Sequence, residues 1–156
     1  MNKNIFFSIF GVVLILIVVF VLISSNKTNN DLTNSKGDIT IYKSPTCGCC
    51  VKYSAYLKDQ GYNVEIITAQ DMQSIKNKHQ IPSNLESCHT SIVGEYFVEG
   101  HVPIEVIQKL LEEKPNIDGI SLPEMPAGTP GMPGTKSEEW QIYSLKDGQV
   151  NKYISI

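Results

Sequence analysis

Three short stretches hold most of the side chains in this chain that could perform soft-metal or redox chemistry. They are Cys47-Gly48-Cys49-Cys50, Ser87-Cys88-His89-Thr90 and Gly100-His101-Val102-Pro103, and between them they contain every cysteine and two of the three histidines. A pocket of thiolates and imidazoles suits a thiophilic cation. Copper(I) comes first, with zinc as the other common taker of sulfur and nitrogen ligands. The same thiols could run disulfide exchange, because Cys47 and Cys50 form a C-x-x-C pair just after a strand signal and at a helix start. A helix N-terminus lowers thiol pKa, and the thiolate is both nucleophile and metal ligand. Cys49 tilts the choice towards metal. A third thiol inside the pair would scramble disulfides in an exchanger but would add a bridging sulfur to a metal site. Two purely structural disulfides are the bland alternative, with three possible pairings. At most one sulfur pair within Cys47, Cys49 and Cys50 closes without strain, so these cysteines are too crowded for a staple framework.

Strands and helices must carry these residues to one place. Asp38-Ile39-Thr40-Ile41-Tyr42 alternates as a strand. Ser44-Pro45-Thr46 is a turn and helix-entry signal, and a helix is expected from about Cys47 to Gln60, with Val51, Ala55, Tyr53 and Leu57 turned inward and Gly61 ending it. Asn63 to Ile67 forms a second strand, and a short helix from about Ala69 to Lys78 stops at Ile81-Pro82. This βαβ order requires a parallel pair. Gly94-Glu95 joins two further strands as a type II′ hairpin. If so, Val93 pairs with Tyr96, His89 with Gly100 and Cys88 with His101, and directly paired residues share a face. His89 would point to the other face wherever strand geometry persists. Pro103 opens a helix with Ile104, Ile107, Leu110 and Leu111 at helical spacing, and Pro115 closes it. The resulting β-α-β-α-β-β-α order is thioredoxin-like. Asn116 to Thr135 is a Pro/Gly-rich loop holding Met125 and Met132, whose spacing could make a thioether lid. Trp140 to Leu145 and Val150 to Ile156 flank Asp147-Gly148 as a C-terminal hairpin. His79 lies at a lysine-flanked helix end and is assigned to the helix dipole.

The chain has 156 residues, enough for one compact α/β domain and an N-terminal appendage. All 13 basic residues are lysines spread along the chain. The basic stripe and arginine forks of a nucleic-acid binder are missing, so no nucleic-acid partner is expected. Ile5 to Ile23 is apolar except at Ser8 and Gly11, and at about 1.5 Å per residue it nearly spans a bilayer core of about 30 Å. It is longer than a cleavable signal core of roughly 7–15 residues, and no Ala-x-Ala follows it, which favours one membrane helix over a cleaved signal. Lys3 and the free amine before it favour an N-in, C-out topology, placing the domain outside the cytoplasm. The expected divisions are 1–25 as signal anchor or transmembrane helix, 26–37 as flexible tether and 38–156 as the domain. Cleavage would instead give an exported soluble form.

The motifs together resemble those of the CopG-like copper-resistance proteins of bacterial envelopes, long catalogued as a domain of unknown function. The matching text is Cys47-Gly48-Cys49-Cys50, His79-Gln80-Ile81-Pro82, Ser87-Cys88-His89-Thr90, Glu99-Gly100-His101-Val102-Pro103, Met125-Pro126 and Gly128-Thr129-Pro130-Gly131-Met132. Tyr53 stands where the family usually has tryptophan, Glu124 where it has glycine, and Pro133 where it has an acidic residue. The resemblance implies a thioredoxin-like fold and copper held by the Cys-x-Cys-Cys turn with the Ser-Cys-His segment, and it allows several ions to share bridging thiolates. It carries thiolate ligands onto Cys47, Cys49, Cys50 and Cys88. His101 and His89 are the candidate nitrogen ligands, and Met125 and Met132 the candidate thioethers. The expectation is an envelope copper(I)-binding protein acting in copper tolerance by sequestration, by delivery to an exporter or other envelope copper protein, or by copper redox. The competing reading is a thiol–disulfide oxidoreductase with Cys47 as nucleophile and Cys50 as resolving thiol. A structural zinc module is the weaker third.

Overall fold

The computed structural model describes residues 35–156. The expected membrane helix at Ile5 to Ile23 and most of the expected tether lie outside them. Among the described residues no helix is long and apolar enough to cross a membrane. The folded unit begins at Ser35. The Lys36 amide donates to the Gly61 carbonyl (2.9 Å), and the Asn63 amide donates to the Gly37 carbonyl (3.0 Å).

The order is β1 (Asp38–Lys43), α1 (Gly48–Asp59), β2 (Asn63–Thr68), α2 (Met72–Lys78), a 3-10 turn (Ser83–Leu85), β3 (His89–Val93), β4 (Tyr96–Glu99), α3 (Ile104–Glu113), β5 (Gly119–Ser121), β6 (Gln141–Lys146) and β7 (Gln149–Ser155). One mixed sheet holds all seven strands in the order β2-β1-β3-β4-β5-β6-β7. The expected parallel pair is β1 with β2, running from Asp38 opposite Asn63 to Lys43 opposite Thr68. β3 runs antiparallel to β1 on its other side. The β3–β4 hairpin has the expected register, with Val93 opposite Tyr96 and Thr90 opposite Glu99. Gly94 takes φ +59 and Glu95 stays out of the left-handed region, as a type II′ turn requires.

Helix α1 buries Tyr53 and Leu57 as expected, but not Val51 and Ala55. Cys50, Tyr53, Ser54 and Leu57 turn inward, while Val51 is 52% exposed and Ala55 is exposed. Cys50 is wholly buried. An inward residue at the first turn commits the positions three, four and seven further on, and Val51 and Ala55 fall outside that stripe. Helix α2 starts at Met72 rather than near Ala69. Asp71 caps it by accepting from the Ser74 amide (2.9 Å), and the Ala69 amide still donates to the Lys43 carbonyl, prolonging the strand.

The expected loop from Asn116 to Thr135 contains strand β5. Three residues are too few to display alternation, yet Gly119, Ile120 and Ser121 are all buried between β4 and β6. A Cβ at position 119 would strike the carbonyl and ring of Phe97, so glycine permits the parallel β4–β5 contact. Through β5 the C-terminal hairpin becomes part of the central sheet. The main core joins Ile39 and Ile41 of β1, Tyr53 and Leu57 of α1, Ile107 and Leu110 of α3, and Ile120 and Ile142.

Candidate metal centre

Two chain breaks face each other at one end of the sheet. Between β1 and α1, Cys47 occupies the N-cap with extended backbone (φ −74°, ψ 95°) and no side-chain cap bond. Cys49 and Cys50 follow in the first turn of α1, where the free N–H groups lie. Between the 3-10 turn and β3, Glu86 is extended and delivers Cys88 one residue before the strand begins. Cys88 Sγ lies 3.5 Å from Cys49 Sγ and 3.3 Å from Cys50 Sγ. Cys47 Sγ is 3.5 Å from Cys49 Sγ. Cys47 and Cys50 are joined as a disulfide, with Cα atoms 5.6 Å apart, and Cys49 and Cys88 carry free thiols. One atom from each of the four cysteines lies within 4.8 Å of the others.

A second set of donors shares Cys88. Its Sγ is 3.6 Å from His89 Nδ1 and 4.0 Å from His101 Nε2, and these three residues again bring ligand atoms within 4.8 Å of one another. The His101 contact follows from the hairpin register. The Gly100 amide donates to the His89 carbonyl (3.4 Å), so the pairing continues one step past the ladder. Cys88 precedes β3, strand alternation does not bind it, and both histidines therefore reach the same thiol. Tyr53 packs against both rings, at centroid distances of 5.0 Å from His89 and 4.8 Å from His101, and the two imidazoles meet each other edge-on at 5.1 Å. Its hydroxyl donates to the Val102 carbonyl (2.7 Å).

The Pro/Gly loop closes over this end. Pro130 presents its carbonyl to His101 Nδ1 at 2.6 Å. A proton on Nδ1 makes that bond and leaves the Nε2 lone pair facing Cys88. Met125 Sδ accepts from the Cys88 thiol at 3.0 Å. Glu124 and Met125 both adopt left-handed backbone, at φ +63° and +47°, a conformation that costs roughly 1–2 kcal/mol per non-glycine residue. Met132 sits on the same loop, where its amide donates to the Thr129 carbonyl (2.8 Å), and the cysteine thiols make no bond to its sulfur. His79 caps α2 away from the cluster, against Phe97 (5.5 Å).

Burial decides the protonation of the donors. It pushes the Cys88 thiol up to about 12, helped by the hydrogen bond and charge of Cys49. It pulls His89 down to about 3, with His101 and Lys76 adding to the effect. His101 is also lowered by burial, against the opposing Pro130 carbonyl. At neutral pH both imidazoles are therefore neutral and can donate a lone pair. The thiol keeps its proton until a cation displaces it, because ligand thiols must deprotonate to bind.

Sequence reasoning missed the support beneath the site. Glu99 and Lys76, both buried, form an ion pair. Glu99 Oε1 also accepts from the Ser87 amide (2.5 Å) and hydroxyl (3.0 Å), and Oε2 accepts from the Thr90 hydroxyl (2.6 Å). One carboxylate thus grips the residues on both sides of Cys88-His89. The expected register already set Glu99 opposite Thr90, which was a readable signal. Lys76 gave none, since it lies in a polar helix.

A family model described as a protein of unknown function, DUF411, matches residues 85–132, the span from the 3-10 turn to Met132. Two solved structures described as copper resistance protein copG, forms 2 and 1, are each 33% identical to the chain, with TM-scores of 0.70. Each likeness covers 76% of this chain and, respectively, 97% and 96% of the other. No curated protein matches the chain.

Proposed function

The chain belongs to the CopG-like copper-resistance family, and from that premise we propose that it is an envelope copper(I)-binding protein contributing to copper tolerance. Cys47, Cys49, Cys50 and Cys88 are its thiolate ligands, His101 and His89 its nitrogen ligands, and Met125 its thioether, with Met132 a further candidate on the same loop. The observation that carries this reading is the meeting of sulfurs from two distant segments, Cys49 and Cys50 with Cys88, at 3.5 and 3.3 Å. Four thiolates favour copper(I) among the metals a cell offers, and sulfurs this close can bridge more than one ion. The domain is thioredoxin-like, comprises the expected 38–156 together with Ser35 to Gly37, which bond to it, and is held outside the cytoplasm by residues 1–25 through the rest of the expected 26–37 tether. Sequestration, transfer to an exporter or other envelope copper protein, and copper redox are the actions such a site supports.

The Cys47–Cys50 disulfide at the start of α1 favours one other reading, a thiol–disulfide oxidoreductase. Cys49→Ser separates the two. Under anaerobic titration with copper(I), the reduced chain is expected to take more than one ion, and the variant fewer. An exchanger would keep its insulin-reducing activity in Cys49→Ser and show no change in copper stoichiometry, and that result would discard the copper reading.

A further inference from the structure

The donors fall into two overlapping groups, and the disulfide affects them unequally. Joining Cys47 to Cys50 removes two thiolates from the four-cysteine set. It leaves Cys88, His89, His101 and Met125 untouched. We infer that these four residues form a second, mononuclear copper site that stays complete in the disulfide form, so that the oxidation state of the Cys47–Cys50 pair selects which ligand set the ion meets. The inference rests on the copper reading above and divides its site in two.

The geometry fits one ion. Metal–ligand bonds of about 2.0–2.3 Å at angles of about 110–120° put two ligand atoms about 3.4–3.8 Å apart. Cys88 Sγ lies 3.6 Å from His89 Nδ1 and 4.0 Å from His101 Nε2, so small shifts close a trigonal set. Met125 Sδ stands beside the same thiol at 3.0 Å as its hydrogen-bond acceptor, and it has to draw back from the sulfur to serve as a weak fourth ligand once the thiol loses its proton. One thiolate, two imidazoles and a thioether form the ligand set of blue-copper sites, which hold copper(II) and copper(I) in one geometry. Four thiolates favour copper(I) alone.

The surroundings are those of a built site. Both imidazoles are wholly buried. His101 is oriented by the Pro130 carbonyl, the kind of outer contact that fixes a ligating histidine. His89 turns Nδ1 towards Cys88, while its Nε2 has no hydrogen-bond partner among the described residues. Tyr53 packs both rings and bonds elsewhere. It therefore holds their spacing without competing for the ion.

The test uses the full chain carrying Cys49→Ser, with the Cys47–Cys50 disulfide formed and verified by mass. The substitution removes the thiol 3.5 Å from Cys88, so copper(II) cannot drive a Cys49–Cys88 disulfide. Titration with copper(II) should retain one equivalent and produce a visible thiolate-to-copper absorption band. Cys88→Ser in the same background should lose the band. His101→Gln should weaken binding by more than about tenfold, and Met125→Leu should keep the equivalent but move the band. No retained copper, or copper whose band ignores both Cys88→Ser and His101→Gln, overturns the inference. Copper(I) titration of the reduced wild-type chain reports separately on the thiolate set, so either reading can fail while the other stands.

Discussion

At the scale of single residues, the buried charges make the sharpest demands. Glu99 is the only acceptor offered to Lys76 within the described core, and it also satisfies Ser87 and Thr90. Breaking a buried ion pair from one side costs about 3–5 kcal/mol, whereas replacing both partners with apolar groups is often close to neutral. Glu99→Gln should therefore lower the unfolding free energy measured by urea titration by an amount in that range. Glu99→Leu with Lys76→Met should recover most of the loss, while falling short of wild type because Ser87 and Thr90 lose their acceptor. The histidines set a pH dependence. Burial depresses His89 to about 3 and also lowers His101, while the unfolded chain takes up these protons near pH 6.5. The unfolded state thus binds more protons below that pH. The stability of the metal-free protein should be full above about pH 6.5 and decline as pH falls towards 3. Urea midpoints across that window should fall less steeply in a His89→Gln variant. A flat wild-type profile would show that His89 is not held neutral.

Among the elements, the loop between β5 and β6 has the largest influence on the site. It reaches His101 through Pro130 and Cys88 through Met125. It can do so because Gly131, at φ +83°, lies against the Tyr53 backbone, where an added Cβ would sit 2.8 Å from the Tyr53 nitrogen. Gly131→Ala should push the loop off α1 and separate the Pro130 carbonyl from His101. The expected cost is about 1–3 kcal/mol in unfolding free energy, with weaker copper retention. Unchanged copper affinity in a folded Gly131→Ala protein would mean that the loop does not orient His101. Helix α1 shows how a site can overrule its own element. Val51 and Ala55 look like core residues at helical spacing, but with Cys50 buried the stripe runs through Ser54 and the expected Tyr53 and Leu57 and leaves those two outside it.

For the molecule as a whole, β5 ties the site to the far edge of the sheet. Its three residues pair with β4 on one side and β6 on the other, and the loop above the cysteines hangs between β5 and β6. Removing residues 141–156 would leave β5 as an unsupported edge and expose Ile120 and the inner face of the loop. Such a truncation should lose cooperative thermal unfolding, followed by circular dichroism, and should not merely lower the midpoint. A cooperative melt would show that the hairpin is an accessory.

The local chemistry and the hairpin register were written in the sequence. The cysteine spacing announced a crowded soft-donor cluster, the βαβ signals placed it at a helix start, and Gly94-Glu95 fixed Val93 opposite Tyr96 and so carried Cys88 to His101. Those features depend on short-range spacing and turn geometry, which neighbouring residues specify. The tertiary structure decided everything that depends on packing between distant segments. It alone turned His89 to the same thiol as His101, closed Met125 but not Met132 onto Cys88, buried Lys76 against Glu99, and built a strand from Gly119-Ile120-Ser121. No local pattern encodes these contacts, because each is settled by which surfaces must leave water together.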